Sequence, residues 1–232
     1  MEHYSLSAPF EPVFENTLKK EGGFQSFPED TANYCGGQLI GTKYGISAIG
    51  YKGFHGVCPT QEQIKALTQN DAFKIFKRKY WDRINGDKIN NASVAAMMFQ
   101  YIIGSGASQL SDIKAIANAT AGKKLIAEVD TDITNEEAKI INSLPQRKFW
   151  DNLVSWRKEF YTRLVKKQPE KAKFLQGWLN RLNSYKFEDT GSGNLVGTLL
   201  PKTKKKRKIL LIAGGSLLLL AAGGYVYKKY YK

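Results

Sequence analysis

Apolar side chains recur at helical spacing through most of the first 187 residues, which leaves little room for anything but helices. Phe10, Phe14, Thr17, Leu18 and Glu21 fall on one helical face. Thr60 followed by Gln63 has the form of a capping box and opens a helix through Leu67, while Asn70 opens the next, Asp71 to Trp81. Ala92 to Ile103 is a further, apolar helix. Thr134-Asn-Glu-Glu137 caps a helix from Asn135 to Ser143, Pro145 opens a long amphipathic helix to about Lys167, and Pro169 starts a last one through Leu182. Gln38 to Ile49 breaks the pattern. Its glycines and its Ile and Tyr content predict a short hairpin. The class is mainly α with a small β element.

Beyond this body, Glu188 to Leu200 (EDTGSGNLVGTLL) is rich in Gly, Ser and Thr and reads as a linker, which continues into the basic run ending at Lys208. Ile209 to Tyr227 (ILLIAGGSLLLLAAGGYVY) is uncharged and mostly apolar. As a helix it would reach roughly 28 Å, close to the hydrocarbon thickness of a bilayer. Lysines flank it on both sides, with Tyr225, Tyr227, Tyr230 and Tyr231 at the far end as interfacial anchors. A C-terminal transmembrane helix over 209–227 is therefore expected, with the bilayer as a partner and a single-pass anchor in the inner membrane. Six basic residues precede the segment and three follow it, a bias that favours a cytoplasmic N-terminal domain. The opening MEHYSLSAPFEPVF has no basic start followed by an apolar run, so no cleavable signal peptide is apparent.

The formal net charge of +14 is unevenly placed. Nine of the 35 basic residues lie after Leu200, where there is no Asp or Glu, so the first 200 residues carry 26 basic against 21 acidic groups. No dense basic stripe lies outside the tail, which argues against a nucleic-acid partner. A mild positive balance suits attraction to an anionic polymer. Two cysteines, Cys35 and Cys58, are too few for a disulfide framework. With His55 they could supply three metal ligands, but a fourth is not evident. Two half-buried thiols, or one disulfide clasping the loop between them, are the other readings.

Glu21-Gly22-Gly23 carries the strongest chemical signal. At the end of an apolar helix Glu21 would meet the negative end of the macrodipole and the rings of Phe24 and Phe27. Both disfavour the ionised form, as a glycosidase acid requires. A plain helix-ending Glu followed by Gly is the alternative.

The segments that follow make a resemblance specific. Glu21-Gly-Gly-Phe24, then Asp30, then Gly36-Gly37, then Thr42-Lys-Tyr44-Gly45-Ile46-Ser47 resembles the N-terminal signature of glycoside hydrolase family 108, lysozyme-like N-acetylmuramidases. Phe73 to Asp82 resembles the family's Tyr-Trp helix. Arg157 to Tyr161 with Phe174 to Arg181 resembles the predicted peptidoglycan-binding segment that usually follows. The similarity covers roughly residues 10 to 183.

The resemblance implies a lysozyme-like catalytic region over 1–110 and a helical peptidoglycan-binding region over 111–187 packed on it; composition adds the flexible basic linker over 188–208 and the membrane helix over 209–227. It implies cleavage of the β-1,4 bond between N-acetylmuramic acid and N-acetylglucosamine in peptidoglycan glycan strands, without metal or cofactor. Glu21 matches the catalytic acid, Asp30 the aspartate that helps hold or activate water, and Thr42 the hairpin threonine whose hydroxyl could position that water. Glu29 is a rival for Asp30, because Thr31 to Cys35 are inserted where the family has a tighter turn. In the later helix, Gln100 and Gly104 replace an acid and an amide of the family pattern. Tyr44, Tyr101 and Gln100 are the candidate substrate contacts, with Tyr44 the better groove candidate; Trp81, Trp150 and Trp178 read as core. Lytic transglycosylase action and a non-catalytic wall binder are the competing readings. The biological settings that fit are a phage or prophage endolysin, which is preferred, and a wall-remodelling enzyme for secretion machinery.

Overall fold

The structure, a computed structural model, describes residues 10–19, 22–103 and 109–189. Helix α1 (Phe10–Leu18) buries Phe10, Val13, Phe14 and Thr17, the face its apolar spacing marks out. It ends at Leu18, and Lys20 and Glu21 lie outside the described residues.

Two tandem antiparallel hairpins follow where one was expected. Strands β1 (Tyr34–Cys35) and β2 (Gln38–Leu39) pair around Gly36-Gly37, and β3 (Thr42–Lys43) and β4 (Ile46–Ser47) pair around Tyr44-Gly45. In each loop both residues have positive φ, as the tight primed hairpin turns demand. Gly41, at the joint between the hairpins, has φ +114° and lies so close to the Gln25 carbonyl that a Cβ would come within 2.5 Å of it. Only glycine fits there.

Helix α2 (Ala48–His55) starts directly from β4, with Ser47 as N-cap accepting from the Gly50 N–H. Helix α3 (Gln61–Ala66) has the expected Thr60–Gln63 capping box. Helix α4 (Gln69–Phe76) begins earlier than the Asn70 signal indicated, because Thr68 and Asp71 form a second reciprocal box. A π-type turn over Lys77–Trp81 then carries the chain on and turns Tyr80 and Trp81 inward.

Helix α5 (Ala92–Ile103) is buried all round except at Gln100. Helix α6 (Leu110–Ala121), not foreseen from periodicity, is followed by α7 (Asn135–Ser143), whose Thr134–Glu137 box is the expected one. The long helix α8 (Gln146–Lys167) packs against α5, α6 and α9 (Ala172–Ser184). Trp81, Trp150 and Trp178 are all buried, and one continuous cluster of buried residues runs from Phe10 to Tyr185. Inside it, the ammonium of Lys114 is wholly enclosed and lies 3.0 Å from a carboxylate oxygen of Glu137, the residue that also completes the α7 capping box.

The fold class needs one correction. Among the described residues no helix is long and apolar enough to cross a membrane. α8 has the length, but charged residues such as Arg147, Asp151, Lys158 and Arg163 punctuate it; α5 is apolar, but its 12 residues reach only about 18 Å. The segment 209–227 lies outside the described residues. The molecule is mainly helical with small antiparallel sheets, and the C-terminal transmembrane helix, the single-pass anchor and the bilayer contact are not retained.

Candidate active site

The signature Thr42-Lys-Tyr-Gly-Ile-Ser resolves into separate physical tasks. Tyr44-Gly45 makes the turn, Ile46 is buried beneath it, and Ser47 caps α2. Thr42 is 1% exposed, and its hydroxyl donates to Asn33 Oδ1 at 2.6 Å. Its backbone forms a two-way bridge with Gln25: Thr42 N–H donates to the Gln25 carbonyl at 2.8 Å and Gln25 N–H to the Thr42 carbonyl at 2.9 Å. The chain leaving Glu21-Gly-Gly is thereby stitched to β3.

Asp30 is buried and caps the short 3₁₀ turn Thr31–Asn33, with Oδ1 accepting from the Ala32 N–H at 3.0 Å. Its other oxygen, Oδ2, is buried and has no hydrogen-bond partner among the described residues. Burial pushes the Asp30 carboxyl above the usual carboxylate range, the Ala32 N–H partly opposes this, and the charge of Glu29 adds to it. Glu29 itself is exposed. Of the two acids, Asp30 has the environment that a tuned group needs.

This shift has a stability consequence. The folded chain favours neutral Asp30, whereas the unfolded chain ionises it near its ordinary value of 3.8. Folding is therefore penalised increasingly as pH rises through and above that value. Asp30→Asn, which cannot ionise, is expected to gain stability relative to wild type between pH 3 and pH 7 in denaturant titrations. A difference that stays flat or moves the other way would show that the carboxyl is not desolvated.

The remaining candidates are spread more widely. Tyr44 sits half-buried at the tip of the second hairpin with φ +52° and the Lys43 ammonium 5.0 Å from its ring centre. Gln100 donates to Thr17 Oγ1 at 2.7 Å, on the buried face of α1. Tyr101 is 2% exposed, stacked against the Arg157 guanidinium and donating to Asp112, about 100° round α5 from Gln100. The structure thus gathers Asp30, Thr42 and Tyr44 around one pair of hairpins and leaves Tyr101 in the interior. Asn33 was missed. It is wholly buried, and it lies in the Thr31–Cys35 insertion, where family spacing offers no guide.

The two cysteines are joined: Cys35 and Cys58 form a disulfide with Cα atoms 5.7 Å apart. Both sulfurs are committed to it, which removes the three-ligand metal reading. Among the described residues no cluster of His, Cys, Asp and Glu is arranged to hold a metal.

Tandem hairpins are set into a helical body, with the buried Asp30 carboxyl just before them and the buried Thr42 hydroxyl in the second. Residues 14–106 match the family described as Glycosyl hydrolase 108, and residues 122–183 match the Predicted Peptidoglycan domain. The chain carries a glycosyl hydrolase 108 domain over residues 14–106 and is a peptidoglycan hydrolase of the lysozyme-like, muramidase type with a peptidoglycan-binding segment. The solved structure of Brucella abortus SagA is similar in fold, with a TM-score of 0.58 and 20% identity over 75% of this chain and 89% of that one. Among curated proteins, none matches the chain.

Proposed function

We propose that the enzyme cleaves the β-1,4 bond between N-acetylmuramic acid and N-acetylglucosamine by acid-assisted attack of water. In this reading Glu21 protonates the departing glycosidic oxygen, while Asp30 and Thr42 hold the water that attacks the anomeric carbon. The observation that carries it is the convergence of Asp30 and Thr42 on one buried unit: Thr42 donates to the Asn33 side chain, and Asn33 N–H donates to the Asp30 carbonyl at 3.0 Å. Gln25, four residues after Glu21, joins the same unit. The Thr42 hydroxyl and the backbone of Asp30 are thus tied through Asn33, which supports a pre-arranged place for a nucleophile beside the desolvated Asp30 carboxyl.

Tyr44 is the proposed sugar platform. A tyrosine with positive φ at a turn that would suit Gly or Asn costs on the order of 1 kcal/mol, a strain that functional positions tolerate. Gln100 is assigned a lesser part. It is the one α5 residue left partly open, and it is hydrogen-bonded to Thr17 of α1. The buried ring of Tyr101 offers no face to a glycan, so its part is support of the helices beneath the site.

Mass spectrometry of digested peptidoglycan tests the reaction. Hydrolysis leaves reducing N-acetylmuramic acid ends. Predominantly 1,6-anhydro ends would instead assign intramolecular attack, and with it a transglycosylase.

A further inference from the structure

The hydrogen bonds around Asn33 leave no freedom in how its amide, or the hydroxyl it receives, is oriented. Gln25 Oε1 accepts from the Phe27 N–H at 2.7 Å, a backbone donor that fixes which end of that amide is oxygen. Asn33 Nδ2 donates to the Phe27 carbonyl at 3.0 Å and to Gln25 Oε1 at 3.1 Å. Gln25 Nε2 returns a bond to Asn33 Oδ1 at 3.2 Å. The N–H and carbonyl of one residue, Phe27, therefore pin both side-chain amides. Asn33 Oδ1 can only accept, so the hydrogen in its 2.6 Å contact belongs to Thr42.

A threonine hydroxyl has one hydrogen and two lone pairs. With the hydrogen consumed by Asn33, Thr42 has only lone pairs left to offer. A water held there must point a hydrogen at Thr42, which turns an oxygen lone pair outward, as attack on an anomeric carbon requires. We infer that Asn33, seated in its backbone-pinned amide pair with Gln25, is a positioning residue that makes Thr42 an acceptor-only hydroxyl for the attacking water. The inference rests on the proposed water-holding role of Thr42. Asn33 belongs to the insertion that separates this chain from the family spacing, so the device goes beyond the shared signature.

A mutant cycle in the full chain tests it, reading initial release of reducing ends from purified peptidoglycan across substrate concentrations, with folding followed by thermal unfolding. Thr42→Val and Asn33→Ala are each expected to lower kcat about tenfold or more, the scale of one lost hydrogen bond at a transition state, with KM little changed. Combined, they should lose no more than either alone, because Asn33 acts through Thr42. Losses that multiply would overturn the inference. Asn33→Asp keeps the acceptor for Thr42 but places a carboxylate against the Phe27 carbonyl, so it should unfold more easily than wild type yet recover most of the kcat lost in Asn33→Ala. An Asp variant no more active than the Ala variant also overturns it. Wild-type kcat in Thr42→Val would sink the reading of Thr42 itself, whereas a slow Thr42→Val beside an unaffected Asn33→Ala sinks only the part assigned to Asn33. If Asn33→Ala does not fold, Gln25→Met at its half-buried position takes its place in the cycle, with the same non-additivity expected.

Discussion

Replacing Glu21 with glutamine is expected to slow peptidoglycan turnover at least ~100-fold, the scale of general-acid assistance. Glutamine keeps the size and polarity of the side chain but has no carboxyl proton to give the departing sugar oxygen. The position is well chosen in sequence. Thr17, four residues earlier, lies on the buried face of α1 and accepts from Gln100. Gln25, four residues later, is bonded to β3 and Asn33. In the sequence, the proposed acid is thus bracketed by the end of α1 and by the segment that carries the proposed water site. Co-sedimentation with peptidoglycan should be unchanged in Glu21→Gln, because the matched peptidoglycan segment at 122–183 lies elsewhere in the chain. A variant that retains a tenth or more of wild-type turnover would remove Glu21 from the role of acid.

The second large effect concerns the disulfide. Cys35 and Cys58 are separated by 23 residues, and the loop they close contains β2, β3, β4 and α2. Constraining a loop of that length in the unfolded chain contributes about 3 kcal/mol. In a body of this size, that corresponds to a midpoint shift on the order of 10 °C. Thermal unfolding with and without reductant, and of the Cys35→Ser/Cys58→Ser pair, measures it. Activity should fall as well, because Cys35 lies two residues beyond Asn33 and its strand holds the first hairpin. The hairpin ladders are only two residues long on each strand, so the covalent link does work that backbone pairing alone would do poorly. Equal melting of the reduced and oxidised chains would show that side-chain packing alone secures the hairpins.

Where local rules govern, the sequence was legible. The boxes at Thr60 and Thr134, the apolar run Ala92–Ile103 and the proline before α8 all describe groups that satisfy one another within a few residues, and each element is present. Asn70 misled because the true cap, Thr68, uses the shorter Asp71 in place of Glu or Gln. The hairpins were half seen. The glycines and Tyr44 mark the turns, but β1 depends on a pairing with β2 that residues as ordinary as Tyr34 and Cys35 do not announce. At the candidate site, Asp30 and Thr42 came from a shared motif, whereas Asn33 acquires its importance only through partners six to nine residues away. Tyr101 looked available on an apolar helix because helical spacing does not reveal that α5 is covered on every side but one.

That enclosure bears on how the two halves of the chain are related. α5 falls within the stretch matching the hydrolase family, and α8, which packs against it, falls within the stretch matching the peptidoglycan domain. Severing them would bare an oily rod to water, so the wall-recognising half is no detachable cassette that could be grafted elsewhere. The cutting tool and its grip are cast as a single piece.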